Sequence, residues 1–215
     1  MNKITIPILS DVWVKASWED YLKVLEENDL EKAKGYYYNG QYRLEMTPIG
    51  NDHASDQTII TYAINLYGTI KNLNLVGKTT CSYRKAGYRE VQPDLSYYVG
   101  NRVSAVPYGT SIINLDRYPA PDLVIEVSKT TLSDDLGNKR LLYEELGVSE
   151  YWIVDVENVR VIAFKVSDGG SQKISTSQVL IGLEIAILEE ALRQTRHSDH
   201  SRVGRWLMEQ FQQNN

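Results

Sequence analysis

Three residues at separated points of the chain could do chemistry together: Asp94 in Pro93-Asp94, Glu126 in Leu123-Val124-Ile125-Glu126-Val127-Ser128, and Lys139 just beyond. Two carboxylates at the ends of apolar β segments offer hard oxygen ligands to Mg2+ or Mn2+. An ion held between them would polarise a phosphodiester and lower the pKa of a bound water. A nearby lysine could orient that water or stabilise charge developing on the phosphate.

Glu126 is the most telling of the three. Glutamate is almost never fully buried without a partner, and an unpaired carboxylate in so apolar a run is costly. A cation, metal or lysine, would remove that cost. Asp122 shares the face of Glu126, because even spacing keeps strand side chains on one side. Plainer readings stand beside these. Pro-Asp before a strand is common loop chemistry, and Asp122 after Pro121 can simply satisfy backbone amides. Lys139 sits in a helix beside Arg140, where a lone lysine is usually solvated, although Tyr143 at i+4 gives it a semi-apolar face.

Two further residues could assist. His53 opens a helix, and Glu45 lies upstream in Leu44-Glu45-Met46-Thr47-Pro48. A histidine there could touch phosphate or move a proton, or could be a surface or capping residue. His197 and His200 have a metal-compatible spacing, but their polar segment near the chain end assigns them to the surface. For nucleic acid, Lys71, Lys78, Arg84, Lys85 and Arg89, interleaved with Tyr83 and Tyr88, could track a phosphate backbone. Alternation puts Arg84 and Lys85 on opposite strand faces, so the five cannot share one surface. A strand edge protected by solvated cations is an equally good reading.

These residues need a scaffold. At 215 residues the chain fits a single domain, which would hide roughly 70% of its unfolded surface. We expect a core over about 15–190 and a helical extension over 193–215. The 15 tyrosines against 2 phenylalanines point to half-buried rings with polar tips. The single cysteine, Cys81, excludes an intramolecular disulfide and a multi-cysteine zinc site. No signal-peptide pattern and no run of ~20 apolar residues is present, so a cytoplasmic location is expected. The net charge of −5 argues against a protein that coats nucleic acid, yet allows an enzyme that contacts DNA through one cleft.

Ser17 and Asp20 predict a helix start, with an apolar stripe over 18–26. Asn39-Gly40 predicts a two-residue hairpin turn inside Tyr36–Met46. Residues 53–72 carry a helical stripe; 74–76, 82–88 and 95–99 read as strands, and 101–118 as loop. Leu123–Val127 reads as a central strand buried on both faces. A helix from 133 to 146 follows, stopped by Gly147. Strands are expected at 151–156 and 159–166 around a tight turn at Glu157-Asn158, then a turn at Asp168-Gly169-Gly170. A helix or strand–helix mix is expected over 182–192, and an amphipathic helix over 201–213 that could serve as an interface element. The strand–helix–strand order over 123–156 predicts a mixed α/β sheet with a parallel, right-handed crossover.

Leu44 to Pro48 followed by His53, then Pro93-Asp94, then Pro121 to Ser128, then Lys139 and Tyr143, then Gly147 to Asp155 resembles the Uma family of restriction-endonuclease-like proteins. That bacterial family belongs to the PD-(D/E)XK nuclease superfamily. The resemblance covers about 15–190 and is most specific over 120–155. It implies a restriction-endonuclease-like fold, a mixed central sheet flanked by helices with additional strands, and Mg2+-dependent (or Mn2+-dependent) hydrolysis of DNA. It implies Asp94 and Glu126 as metal ligands, and accessory roles for Glu45 and His53. Ser128 stands where the superfamily has lysine; Lys139 resembles the relocated lysine, and Lys129 is one step off register. The resemblance and the apolar faces of the end helices also imply a homodimer. The rival expectation is a catalytically degenerate nuclease-like domain that binds or assembles. A metal hydrolase of small phosphate esters is a third.

Overall fold

The computed structural model describes residues 10–26, 30, 33–46 and 49–213. Two six-stranded sheets form the frame. Twelve strands are described: β1 Val14–Lys15, β2 Lys34–Tyr38, β3 Gln41–Glu45, β4 Leu75–Thr79, β5 Tyr83–Lys85, β6 Arg89–Val91, β7 Leu95–Val99, β8 Ile113–Asn114, β9 Leu123–Ser128, β10 Glu150–Asp155, β11 Arg160–Ser167 and β12 Gly170–Ile174. Six α-helices join them: α1 Trp18–Leu25, α2 Asn51–Ile70, α3 Leu132–Leu136, α4 Asn138–Leu146, α5 Ile185–Thr195 and α6 His200–Gln213.

The smaller strands make one sheet, in the order β1-β3-β2-β6-β5-β8, and the main sheet runs β12-β11-β10-β9-β7-β4. In the main sheet β9 and β10 are parallel, and the other neighbours are antiparallel. The parallel pair is what a crossover through α3 and α4 requires. Strand β9 is buried at every residue, as its unbroken apolar run predicts.

Alternation along β9 sorts its side chains between two cores. Leu123, Ile125 and Val127 pack with Ile60 and Ile64 of α2, Leu188 of α5 and Leu207 of α6. Val124 faces the other way, towards Tyr36 of β2, Tyr83 of β5 and Tyr143 of α4. Glu126 has the parity of Val124, so it points between the two sheets. A third cluster, with Tyr21 of α1, Tyr37 and Tyr42, covers the outer face of the small sheet.

Local chemistry explains most boundaries. Ser17 Oγ accepts the Asp20 N–H at 3.1 Å and donates to Asp20 Oδ2 at 2.9 Å, so the short acid caps the serine hydroxyl itself. Asn39 and Gly40 both take positive φ, 49° and 69°, and close the β2–β3 hairpin with Tyr38 opposite Gln41. Gly147 ends α4 at φ 79°.

Several expectations are corrected. The helix predicted for 133–146 is two helices, broken at Gly137, where an added Cβ would come within 3.0 Å of the Ser133 carbonyl. The strand predicted for 82–88 is a hairpin turning at Gly87, φ +77°, with the second arm at 89–91. The loop over 101–118 contains β8, which pairs with β5. Asp168-Gly169 turns directly into β12. Thr47 and Pro48 of the quoted motif lie outside the described residues. The apolar stripe of α6, with Val203, Leu207 and Phe211, is spent inside the main core, and Phe211 meets Tyr67 edge-on at 5.0 Å.

Candidate active site

The register of β7 against β9 pairs Leu95 with Ile125. One step further along, where β7 begins, Asp94 comes opposite Glu126. The Asp94 N–H points at Glu126 Oε2 from 3.4 Å. In return Asp94 Oδ2 accepts the N–H of Val127 at 2.8 Å. Both carboxylates are buried, Asp94 at 1% and Glu126 at 2% exposure.

They lie on the floor of a cavity of about 450 Å3, lined also by Lys34, Glu45, His53, Gln92, Thr131 and Lys139. Glu45 comes from the end of β3, His53 from the first turn of α2, and Lys139 from the first turn of α4. The sheet register and the helix break at Gly137 therefore bring Asp94, Glu126, Lys139, His53 and Glu45 to one place.

Lys139 is 1% exposed and its ammonium is enclosed by acids. It lies 2.5 Å from Glu45 Oε1, 3.0 Å from Asp135 Oδ1 and 3.9 Å from Glu126 Oε1, with the Tyr36 ring 4.4 Å below. Glu126 Oε1 accepts from the Tyr143 hydroxyl at 2.6 Å and has the Tyr36 hydroxyl 3.0 Å away. Asp94 Oδ1 is taken by the ammonium of Lys34, and His53 Nε2 lies 3.4 Å from the same oxygen. Lys129 reaches away from the acids and pairs with Asp52 at 2.6 Å. Ser128 meets Thr131 at 3.3 Å.

Burial and charge pull these groups apart in acidity. Burial drives the Glu126 carboxyl up to about 8, and Lys139 and Lys34 recover only part of the shift. Burial would also raise Asp94, but His53 and Lys34 outweigh it and hold this carboxyl below the usual range. Burial would lower Lys139, yet Glu126, Glu45 and Asp135 raise it instead, so it stays charged. Lys34 is raised in the same way, by Asp94 and Glu126 against its own burial.

Glu45, Asp94, Glu126, Asp134 and Asp135 gather around Lys34, Arg43 and Lys139, and the more exposed Asp11 also reaches Arg43 at 3.6 Å. Burial holds Glu126 protonated up to about 8, so near neutral pH it adds no charge to this cluster. His53 Nε2 is buried 3.4 Å from Asp94 Oδ1. The hard carboxylate oxygens suit a divalent cation. Among the described residues no three His, Cys, Asp or Glu side chains form a group that could hold a metal ion.

Other expected residues lie elsewhere. Asp122 holds the far end of β9: its Oδ2 accepts the Val99 N–H at 2.8 Å and its Oδ1 pairs with Arg102. His197 is exposed, and His200 Nε2 meets Ser55 Oγ at 3.1 Å. Of the basic cluster, Arg84 is paired with Glu90 at 2.7 Å and Arg89 with Glu145 at 3.0 Å. Lys85 lies 5.6 Å from the Tyr88 ring. Lys78 sits on β4 in the other sheet, so these four cations do not form one surface patch.

Lys34, Tyr36, Arg43 and Asp135 were not read as site residues from the sequence. A signal for Lys34 existed. Counting outward from the Asn39-Gly40 turn pairs Tyr38 with Gln41, Tyr36 with Arg43 and Lys34 with Glu45, as observed. Asp135 had a weaker one, its i,i+4 relation to Lys139.

A mixed sheet that brings paired acids from adjacent strands to one cleft is a restriction-endonuclease-like α/β fold. A crystal structure described as a "putative nuclease belonging to DUF820", from Anabaena variabilis, matches with a TM-score of 0.55 at 18% identity, over 89% of this chain and 98% of that one. Among curated proteins none is significantly similar. Residues 18–197 match the model of the Uma2 family, described as "Putative restriction endonuclease". The chain belongs to that family.

Proposed function

We propose that the chain is a DNA endonuclease that hydrolyses phosphodiester bonds with Mg2+ or Mn2+. One observation carries this reading: Asp94 and Glu126, both buried, meet on the floor of one cleft. Asp94 and Glu126 would hold the ion. When bound, it supplies polarisation of the phosphate and a more acidic water. The chain's own contribution is alignment. Val127 N–H fixes one Asp94 oxygen, and the Tyr143 hydroxyl fixes one Glu126 oxygen. Lys139 ties Glu45 and Asp135 to the same point, and His53 borders the Asp94 oxygen that Lys34 occupies.

The test is purified protein with supercoiled and linear DNA and Mg2+ or Mn2+. Cleavage is expected, and Asp94→Ala and Glu126→Ala should abolish it. Cleavage no greater than that of the two variants would sink the proposal.

A second reading has its own support. Lys34 already neutralises Asp94, and Ser128 stands at the usual lysine position. A degenerate domain that binds or assembles without chemistry would look the same. Calorimetric titration with Mn2+ separates the two, because only an active site binds the ion and loses it in Glu126→Ala. We also propose a homodimer, as in the superfamily at large; sedimentation as a monomer at micromolar concentration would refute it.

A further inference from the structure

Of the three lysines that line the cleft, Lys129 pairs with Asp52, and the other two, Lys34 and Lys139, are not equivalent. Lys139 is sealed: it is 1% exposed, has carboxylate oxygens at 2.5 and 3.0 Å, and has an aromatic ring beneath it. Moving it would strand Glu45 and Asp135 without their cation, which is costly. Lys34 is held by one carboxylate and its side chain is 12% exposed, although both lysines line the cavity. It sits at the first residue of β2. Its ammonium lies on Asp94 Oδ1, on the side of that carboxylate left free by the Val127 N–H. A compact ammonium on a four-carbon stem can swing away at little cost when another cation takes its place.

We infer that Lys34, not Lys139, is the movable cation of this site: it neutralises Asp94 until a divalent ion arrives, then turns to the substrate's phosphate. The inference rests on the metal-dependent reading above and deepens it. Lys139 becomes a positioning residue. It keeps Glu45, Asp135 and Glu126 in register and touches nothing that reacts. The scheme also accounts for Ser128: the anion-facing lysine comes from a strand of the small sheet instead of from β9.

The experiment uses the full chain and three variants, Lys34→Gln, Lys34→Arg and Lys139→Gln. Mn2+ is titrated by calorimetry without DNA. Binding of a fluorescent DNA duplex is then followed against salt in Ca2+. Lys34→Gln removes a competitor for Asp94, so Mn2+ should bind about tenfold more tightly, one pKa unit's worth of charge interaction. Lys34→Arg should stay near the parent. The log–log salt slope should fall by about one in Lys34→Gln, the value for one lost phosphate contact. Thermal melts with and without Mn2+ show that each variant is folded, and Mn2+ should raise the melting temperature of Lys34→Gln more than that of the parent. Unchanged Mn2+ affinity in Lys34→Gln, or a salt slope that falls only in Lys139→Gln, overturns the inference and leaves the metal reading standing. A parent chain that binds no Mn2+ overturns both.

Discussion

The Asp94 N–H and the Glu126 carboxylate face each other across the start of β7, 3.4 Å apart, while the Asp94 carboxylate reaches back to the Val127 N–H. Each acid is thus aimed by the other's strand. A one-residue slip in the β7–β9 register would turn the two acids to opposite faces of the sheet.

Glu126 sets the pH response of the cation-free protein. Its carboxyl titrates near 8 in the folded chain against about 4.5 in an open one. Between those values the folded state binds more protons than the unfolded state, so stability falls as pH rises. The loss begins above the unfolded value and is complete above the folded one, with a slope of at most about 1.4 kcal/mol per pH unit. Asp94, shifted downward, acts in the opposite sense, and only in the acid range. Urea unfolding from pH 5 to 8.5 should show the decline, and Glu126→Gln should flatten it. A slope unchanged in the variant would assign the effect elsewhere.

The same proton links to the metal. On the proposed metal-dependent reading, Mn2+ takes Glu126 ionised, so affinity should climb with pH up to about 8, approaching tenfold per unit when one proton is displaced. Calorimetry in buffers of different ionisation enthalpy counts the proton directly. A pH-independent affinity with no proton release contradicts this.

Lys139→Met should cost about 3–5 kcal/mol, the usual penalty for breaking a buried charge cluster by removing one partner. Its loss leaves Glu45, Asp135 and Glu126 without their shared cation. Denaturant unfolding at pH 7 measures it. A cost below about 1 kcal/mol, the range of exposed pairs, would mean the ammonium is not holding the acids.

Tyr143→Phe removes the 2.6 Å donor to Glu126 while leaving the ring packed on Tyr151 at 4.8 Å. Stability should drop by about 1–3 kcal/mol, the cost of leaving a buried acceptor without its donor. The Glu126 carboxyl should titrate higher still, which weakens Mn2+ binding at pH 7. Mn2+ titration of the variant at pH 7 and pH 9 checks it: the deficit should shrink at the higher pH.

Gly147→Ala tests the scaffold apart from the chemistry. The residue ends α4 at φ 79°, where a Cβ costs about 1 kcal/mol. The melting temperature should fall while Mn2+ affinity stays as in the parent.

Much of this was legible in the residues. The apolar run around Glu126 announced a strand buried on both faces, and the crossover to Tyr151–Val156 announced its parallel partner. Asn39-Gly40 set the β2–β3 register. Other features rest on contacts that no local pattern reveals. The break at Gly137 is a packing choice in a segment whose capping and periodicity both suit one helix. The hairpin at Gly87 hides in a stretch that alternates like a single strand. Most of the cationic surface suggested by Lys78, Arg84, Lys85 and Arg89 dissolved because Glu90 and Glu145, distant or differently patterned, claimed the arginines. The acids of the site were visible because each breaks an apolar context; Lys34 breaks none, so only the hairpin register that sets it opposite Glu45 marked it.

The crossover that closes over Glu126 also fixes an order of events during synthesis. The carboxylate leaves the ribosome well before Lys139 and the Tyr143 hydroxyl, the two groups from later in the chain that let it be buried. A nascent chain ending before residue 139 has β9 and both acids but neither of those two groups. The centre of the main sheet can therefore close only after the segment that supplies its counter-charge has emerged.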